Sequence, residues 1–472
     1  MSAPSLRSIA EDRAAVLSGQ TSVTALTEAR LAAIPCGNGA SPFTVKEVAH
    51  AMDTAARLDR ALADGFAPGP LFGVPLAHKD MFDRAGQCVG FGAHRSARRA
   101  ATQTATVLER LDAAGQVDLG RLAMSEFAMG PTGHNHQIGM PANPLVPGAI
   151  TGGSSSGSGA AVAGGLVAAA LGSDTGGSIR LPAACCGVVG FKPTQGRVPL
   201  TGAMPLSPSQ DCVGPLAASV ADAWTVLCII AGADGRDPAC IGSTLTDAAP
   251  AGSLRIGMDR GGFLTDLAPT MASLLDDTEV ALGAEGHHIT GIDLAFFDAL
   301  SEPANVVAIS DAAAVHADRL RSHADTYGPQ IRARLAQAAA MPGHAYVRAQ
   351  QIRQTAVTRL YETVFSHVDL IVLPTLLGPP PQRADVDVGG GSGLNKVIAG
   401  LTRLTRPASF LGLPAISLPV VWTEDGPLSL QIVGPHWQEA RIATLARDIE
   451  RIFAARPVTA TANAALAIAA AE

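Results

Sequence analysis

Lysine is nearly absent. The 472 residues hold four, Lys46, Lys79, Lys192 and Lys396, against thirty arginines. Arg does not release its proton in a protein, whereas a desolvated Lys can, so a site that needs a neutral amine must keep Lys against this bias. Each of the four therefore raises a chemical question. Aromatic residues are also scarce at 4%, and charged residues reach only 16%, while 47% are hydrophobic. That balance excludes a charge-solvated disordered chain and describes an Ala- and Gly-rich folded one. Positive charge is not in excess either, the formal net charge being −7. Nucleic-acid binders concentrate positive charge, so no nucleic-acid partner is expected.

Other absences narrow the class further. No apolar run approaches the ~20 residues that span a bilayer. The most apolar long stretch, 159–172, is mainly Ala and Gly and reads as core, so no membrane partner is expected. The opening segment MSAPSLRSIAEDRAAVLSG lacks an apolar signal region, and Ser8 with Glu11 has the pattern of a helix capping box, so no export is expected. Seven cysteines (Cys36, Cys88, Cys185, Cys186, Cys212, Cys228 and Cys240) form neither ligand pairs nor a disulfide-dense pattern, which fits a reducing cytoplasm. His134 and His136 share a loop without any metal-ligand spacing around them, so no metal is expected.

What is present alternates between strand and helix. Length alone permits one large domain or two to three smaller ones. Residues 1–60 show helical spacing (Leu26, Ala29, Leu31, Ile34; Val45, Val48, Met52, Ala55) and read as a helical cover. The apolar run 71–78 reads as a buried strand end from which Lys79 emerges. An amphipathic helix at 104–114 precedes a short strand at 117–120. From 151 onward come a Gly/Ser loop, a helix, an apolar strand, a second Gly loop, a short helix and a strand, which is an α/β pattern. Strands are predicted at 253–258, 368–374, 413–421 and 428–433, helices at 269–285 and about 438–453, and a long helical region at 302–366. A Pro/Gly loop fills 378–392. With no internal repeat and buried strands on both sides of the long helical section, one large sheet is preferred. A clean two-domain cut is not visible; the expected division is a helical cover over 1–60, one main domain over 61–456 and an Ala-rich tail over 457–472.

Two glycine loops could carry chemistry. Asp174-Thr175-Gly176-Gly177-Ser178-Ile179-Arg180 leaves an apolar strand and enters a helix, and its glycines let successive N–H groups converge where an oxyanion could sit beside a serine nucleophile. The same pattern also describes a plain turn with Ser178 capping the helix. The earlier loop, 152–159, lacks the Gly-Lys-Ser/Thr ending of a phosphate loop and the spacing of a dinucleotide fingerprint. No convincing strand-to-helix Gly-x-Ser-x-Gly elbow is present.

The segments GPLFGVPLAHKD (69–80), TGGSSSGSGAAVAGG (151–165), GSDTGGSIRLPAACCGVVGFKPTQGRV (172–198), DLIVLPT (369–375) and GLPAISLP (412–419) resemble, in order, the amidase signature family. The resemblance implies an α/β fold with a single large mixed sheet flanked by helices on both faces, and catalysis without metal or cofactor. It implies Ser178 as nucleophile, with Ser154, after a cis Gly153–Ser154 peptide bond, and Lys79 as the proton relay. The N–H groups of Thr175, Gly176, Gly177 and Ser178 would form the oxyanion hole, and Met129 and Gly130 would line the substrate pocket. Ser156 and Ser409 depart from the family pattern at places that bear on loop shape. The competing reading of Lys79 is an ion pair with adjacent Asp80 or another carboxylate, which would keep it charged. The expected function is hydrolysis of a small-molecule amide or related C–N acyl bond, compatible with a homodimer. The alternative is the glutamine-hydrolysing component of a tRNA-dependent amidotransferase, disfavoured because the middle section lacks the Tyr-Asp-Gly-rich stretch associated with it. A catalytically silent binding protein on this fold would need a broken relay, and all three positions are intact.

Overall fold

Apolar runs too short to be helices become the centre of a sheet. The computed structural model describes residues 6–35, 39–95, 98–245, 252–387 and 393–454. The strands are β1 (Phe43–Lys46), β2 (Pro75–Lys79), β3 (Cys88–Val89), β4 (Arg99–Ala100), β5 (Val117–Leu122), β6 (Ala169–Asp174), β7 (Val189–Lys192), β8 (Cys212–Ala217), β9 (Arg255–Asp259), β10 (His288–Ile292), β11 (Leu370–Pro374), β12 (Ala415–Thr423) and β13 (Gly426–Val433). Eleven of them form one sheet in the order β1-β5-β2-β6-β8-β7-β12-β13-β11-β9-β10, and β3 pairs with β4 as a separate ribbon. The sheet is mixed: β2 runs parallel to β5 and β6, and β9 to β10 and β11, whereas the pairs joining β6, β8, β7, β12, β13 and β11 are antiparallel.

Side chains of a strand alternate between faces, so a strand buried on both sides must be apolar throughout. Leu76, Leu171, Leu370 and Val372 enter one core cluster, which the helices Thr106–Ala113, Val220–Ile230, Pro269–Ala284 and Glu439–Ala454 cover. Their neighbours Ala77 and Ala170 face the other way, toward helices Val23–Ala33, Val48–Ala63 and Ser156–Ala163, and Ile371 and Leu373 face helices Ser301–Val315 and Gly343–Leu360. Burying each Leu-sized side chain contributes roughly 1.5–3 kcal/mol, which fixes register, because a one-residue slip would exchange the two sets. Among the described residues no helix is long and apolar enough to cross a membrane.

The structure departs from the periodicity at three places. Val45, read as helical, lies in β1, an edge strand antiparallel to β5. Strand β8 carries Gly214 and Pro215, which mark a break by pattern; yet β7 meets β8 only at Leu216 and Ala217, so Pro215 stands outside that ladder. Strand β10 is an edge with mostly exposed side chains and so has no apolar signature. The expected tail at 457–472, the Gly-rich end of the 378–392 loop and Cys36 lie outside the described residues.

The helix Ser156–Ala163 is seated on β5 through a glycine. A Cβ on Gly157 would stand 2.4 Å from Ala123 N and 2.6 Å from Pro42 O, both backbone atoms that cannot swing aside. Gly157→Ala is therefore expected to destabilise the protein by on the order of 1–3 kcal/mol, seen as a lower unfolding midpoint, whereas Ala160→Gly in the same helix should cost ~1 kcal/mol or less.

Candidate active site

Lys79 is the last residue of β2, and Ser173 and Asp174 end the adjacent parallel strand β6. Ligands of such sheets gather at the carboxyl ends of parallel strands. The amine of Lys79, fully buried, donates to Ser154 Oγ at 2.7 Å and to Ser173 Oγ at 2.8 Å. Burial pushes its pKa down from 10.5 to about 7, against an upward pull from Asp211 and Asp174. The Asp80 ion pair does not form. Asp80 Oδ1 accepts the Gly90 N–H at 2.9 Å, its Oδ2 accepts Thr44 Oγ1 at 3.4 Å, and Arg121 Nη1 lies 4.0 Å away. Ser154 follows a cis peptide bond from Gly153, and its carbonyl accepts the Ser125 N–H at 3.1 Å.

The loop after β6 is organised by one carboxylate. Asp174 and Arg180 are both fully buried, with Arg180 Nε 3.0 Å from Oδ2 and Nη2 3.1 Å from Oδ1. Ser409 Oγ donates to Asp174 Oδ1 at 2.8 Å, and Arg180 also reaches Ser409 Oγ at 2.6 Å and Gln431 Oε1 of β13 at 3.0 Å. Burial works against the carboxylate, but the Arg180 charge and these hydrogen bonds outweigh it and hold the pKa at about 2. Ser409, which departs from the family pattern, thus belongs to this network rather than only shaping a loop. Ser156, the other departure, donates to Ala123 O at 3.3 Å.

One expected oxyanion donor is already engaged. The Gly177 N–H donates to Asp174 Oδ1 at 2.8 Å, so it is not available to a substrate oxygen. Gly177 has φ +128°, and a Cβ there would lie 2.2 Å from Thr405 Oγ1, so the position requires glycine. Among the described residues nothing accepts from the N–H groups of Gly176 or Ser178. Thr175 Oγ1 donates to Asp211, whose other oxygen accepts the N–H groups of Leu206 and Ser207 at 2.8 and 2.9 Å.

Ser178, Thr175 and Gly176 line a pocket together with Met129 and Gly130, and with Gln210, Arg334 and Arg406, which sequence reasoning did not single out. Lys79 and Ser154 do not reach the pocket surface. The geometry brings a near-neutral amine to a hydroxyl and sets a second serine beside unengaged N–H donors, parts suited to proton transfer and to holding an oxyanion. His134 lies 3.5 Å from Asp387, and its ring centre is 6.4 Å from that of His136; among the described residues no group of three His, Cys, Asp or Glu could hold a metal ion.

Fold and site together define an amide-cleaving enzyme class. A family model described as Amidase matches residues 39–443, and the chain belongs to that family, the amidase signature enzymes. Within it, the chain is 35% identical to a glutamyl-tRNA(Gln) amidotransferase subunit from Synechococcus sp. (strain WH7803), over 94% of this chain and 96% of that one. A solved structure from a vestigial protein complex, described as revealing the origins of an s-triazine catabolic enzyme, has 31% identity and a TM-score of 0.86, covering 94% of this chain and 98% of that one. The peptide amidase of Stenotrophomonas maltophilia is 28% identical with a TM-score of 0.80, covering 96% and 98%.

The buried charges set how stability responds to pH and to substitution. Below pH 7 the folded and unfolded chains both protonate Lys79 and its burial penalty is fully present. Between about 7 and 10.5 the folded chain sheds the proton first, and stability rises with pH. The stability advantage of Lys79→Met over wild type should therefore be largest near pH 6 and shrink by up to about 4 kcal/mol by pH 10 in denaturant titrations. Arg180→Met leaves Asp174 buried without its counter-charge and should cost about 3–5 kcal/mol, with Arg180→Met/Asp174→Asn less damaged than the single variant.

Proposed function

We propose that the chain hydrolyses a carboxylic amide through an acyl-enzyme on Ser178, with Ser154 and Lys79 relaying the proton. The observation that carries this reading is the buried Lys79 amine, bonded to Ser154 and Ser173 rather than to a carboxylate. A neutral Lys79 accepts the Ser154 proton as Ser154 takes that of Ser178, and Ser178 Oγ bonds to the amide carbon. The oxyanion rests on the N–H groups of Thr175, Gly176 and Ser178, each such donor being worth roughly 3–4 kcal/mol of barrier. The proton returns through Ser154 to the leaving nitrogen, the C–N bond breaks, and water then cleaves the ester. The described cysteines form no disulfide with one another, which supports action in a reducing cytoplasm.

A narrower reading has the stronger support from sequence relatives. Curated proteins 32–35% identical over most of the chain are named as one component of glutamyl-tRNA(Gln) amidotransferase. Under that reading the amide is glutamine, and the working assembly includes partner proteins and a tRNA. A small-molecule substrate as sole partner would then be incomplete. Turnover by the purified chain alone on simple amides favours the broader reading; glutamine cleavage only with added partner proteins favours the narrower.

Both readings share the same core test. A fluorophosphonate should label wild type at Ser178 and fail on Ser178→Ala. Lys79→Arg keeps charge but cannot give up its proton, so kcat/KM should fall by ~10³ or more, and the acidic limb of the wild-type pH profile, centred near 7, should vanish. Labelling at another residue, or a Lys79→Arg protein of near wild-type rate, removes the relay.

A further inference from the structure

The pocket carries charge that nothing in the described protein answers. Arg334 and Arg406 both line it. Arg334 donates to the Met129 carbonyl at 3.0 Å, and Arg406 makes only 3.4 Å contacts to Ser301 O and Oγ. Neither forms a salt bridge among the described residues. Burial lowers the pKa of Arg334 to about 10, and burial together with the charge of Arg334 does the same to Arg406. Of the acids nearby, Asp298 is held by Arg403 at 2.9 Å and Glu302 is exposed at the outer rim. A folded protein keeps two adjacent unpaired guanidiniums at a pocket wall at a cost that an anionic ligand would offset.

We propose that the substrate of this site is a short amide bearing a carboxylate and no ammonium group, its carboxylate held between Arg334 and Arg406 while Ser178 attacks the amide carbonyl. Three placements set its size and chemistry. A Cβ on Gly176 would stand 3.8 Å from Arg406 Nε, so the arginine begins directly beside the oxyanion loop and the carboxylate lies only a few bonds from the scissile carbonyl. Gln210, also lining the pocket, donates through Nε2 to Ala304 O at 3.1 Å and leaves a buried Oε1 without a partner, an acceptor that an amide N–H satisfies. Among the described residues no carboxylate lines the pocket to receive an ammonium. Free glutamine carries its α-ammonium next to its carboxylate, so it would bring a third cation to the two arginines. The monoamide of a dicarboxylic acid matches the pocket instead: the monoamide anion and water yield the dicarboxylate and ammonium. The assignment rests on the acyl-enzyme reading of Ser178 for the bond cleaved, and on the arginine pair alone for the charge.

Calorimetry on Ser178→Ala protein separates the two. The probes are malonamate, succinamate and glutaramate, their neutral counterparts propionamide, butyramide and pentanamide, and L-glutamine, which differs from glutaramate only by the α-ammonium. At least one monoamide should bind on the order of 100-fold more tightly than its neutral counterpart, and glutaramate on the order of tenfold more tightly than glutamine. In wild type, Arg406→Gln and Arg334→Gln should each cut the preference in kcat/KM for the preferred monoamide over its neutral counterpart on the order of tenfold or more. Equal binding of neutral and anionic amides, glutamine binding as well as glutaramate, or no binding by any monoamide overturns the proposal. Charge-selective binding without turnover in wild type would leave it standing and remove the hydrolase reading. Turnover without charge preference would do the reverse.

Discussion

The Asp174–Arg180 pair is the constraint from which the site is built. Both side chains are fully buried, where an ion pair repays its desolvation only if geometry is good and the remaining lone pairs and protons find partners. Here they do, through the Gly177 N–H, Ser409 and Gln431. Because Asp174 ends β6 and Arg180 opens the helix Arg180–Cys186, the pair closes the loop that carries Ser178. Because Gln431 lies in β13 and Ser409 in the helix Arg406–Phe410, it also ties that loop to the C-terminal strands. Residues more than two hundred positions apart thereby fix one serine.

The same pair bears on the lysine. Asp174 pulls the Lys79 pKa upward, as Asp211 does, yet neither carboxylate is hydrogen-bonded to the amine. Asp174 is committed to Arg180 and Asp211 to Thr175 and two backbone N–H groups. Burial therefore wins and leaves the amine near neutrality. The outcome depends on each acid having a different partner, which is a property of the network rather than of Lys79 alone.

Most of the sheet was legible because its strands are buried on both faces and so are apolar without interruption, as at 71–78 and 368–374. The strands that escaped are β1 and β10, which are edges, β8, which contains Gly and Pro, and β3 and β4, which form a separate ribbon of two-residue strands; none of these needs a continuous apolar run. The glycine loop was legible because its residues are consecutive. Its hydrogen bonding was not: that Gly177 turns its N–H to Asp174 depends on a carboxylate oriented by Arg180, Ser409 and Gln431. Scarcity of lysine singled out four positions, and burial alone does not rank them. Lys192 is as buried as Lys79 but donates to the carbonyls of Leu413 and Pro193 at 2.6 and 2.9 Å, whereas Lys79 meets two hydroxyls.

The composition that makes Lys79 visible hides the pocket. With thirty arginines in the chain, Arg334 and Arg406 look like two more surface cations. They come from separate helices, Pro329–Ala339 and Arg406–Phe410, and only folding brings them to one pocket. Lys79, Ser154 and the 174–180 loop fall within the segments that resemble the family, whereas Arg334 and Arg406 lie outside all of them. Function resides in a site rather than in a fold, so the lining of the pocket, which among the described residues holds two arginines and no carboxylate, bears on substrate choice separately from what the relatives are named for.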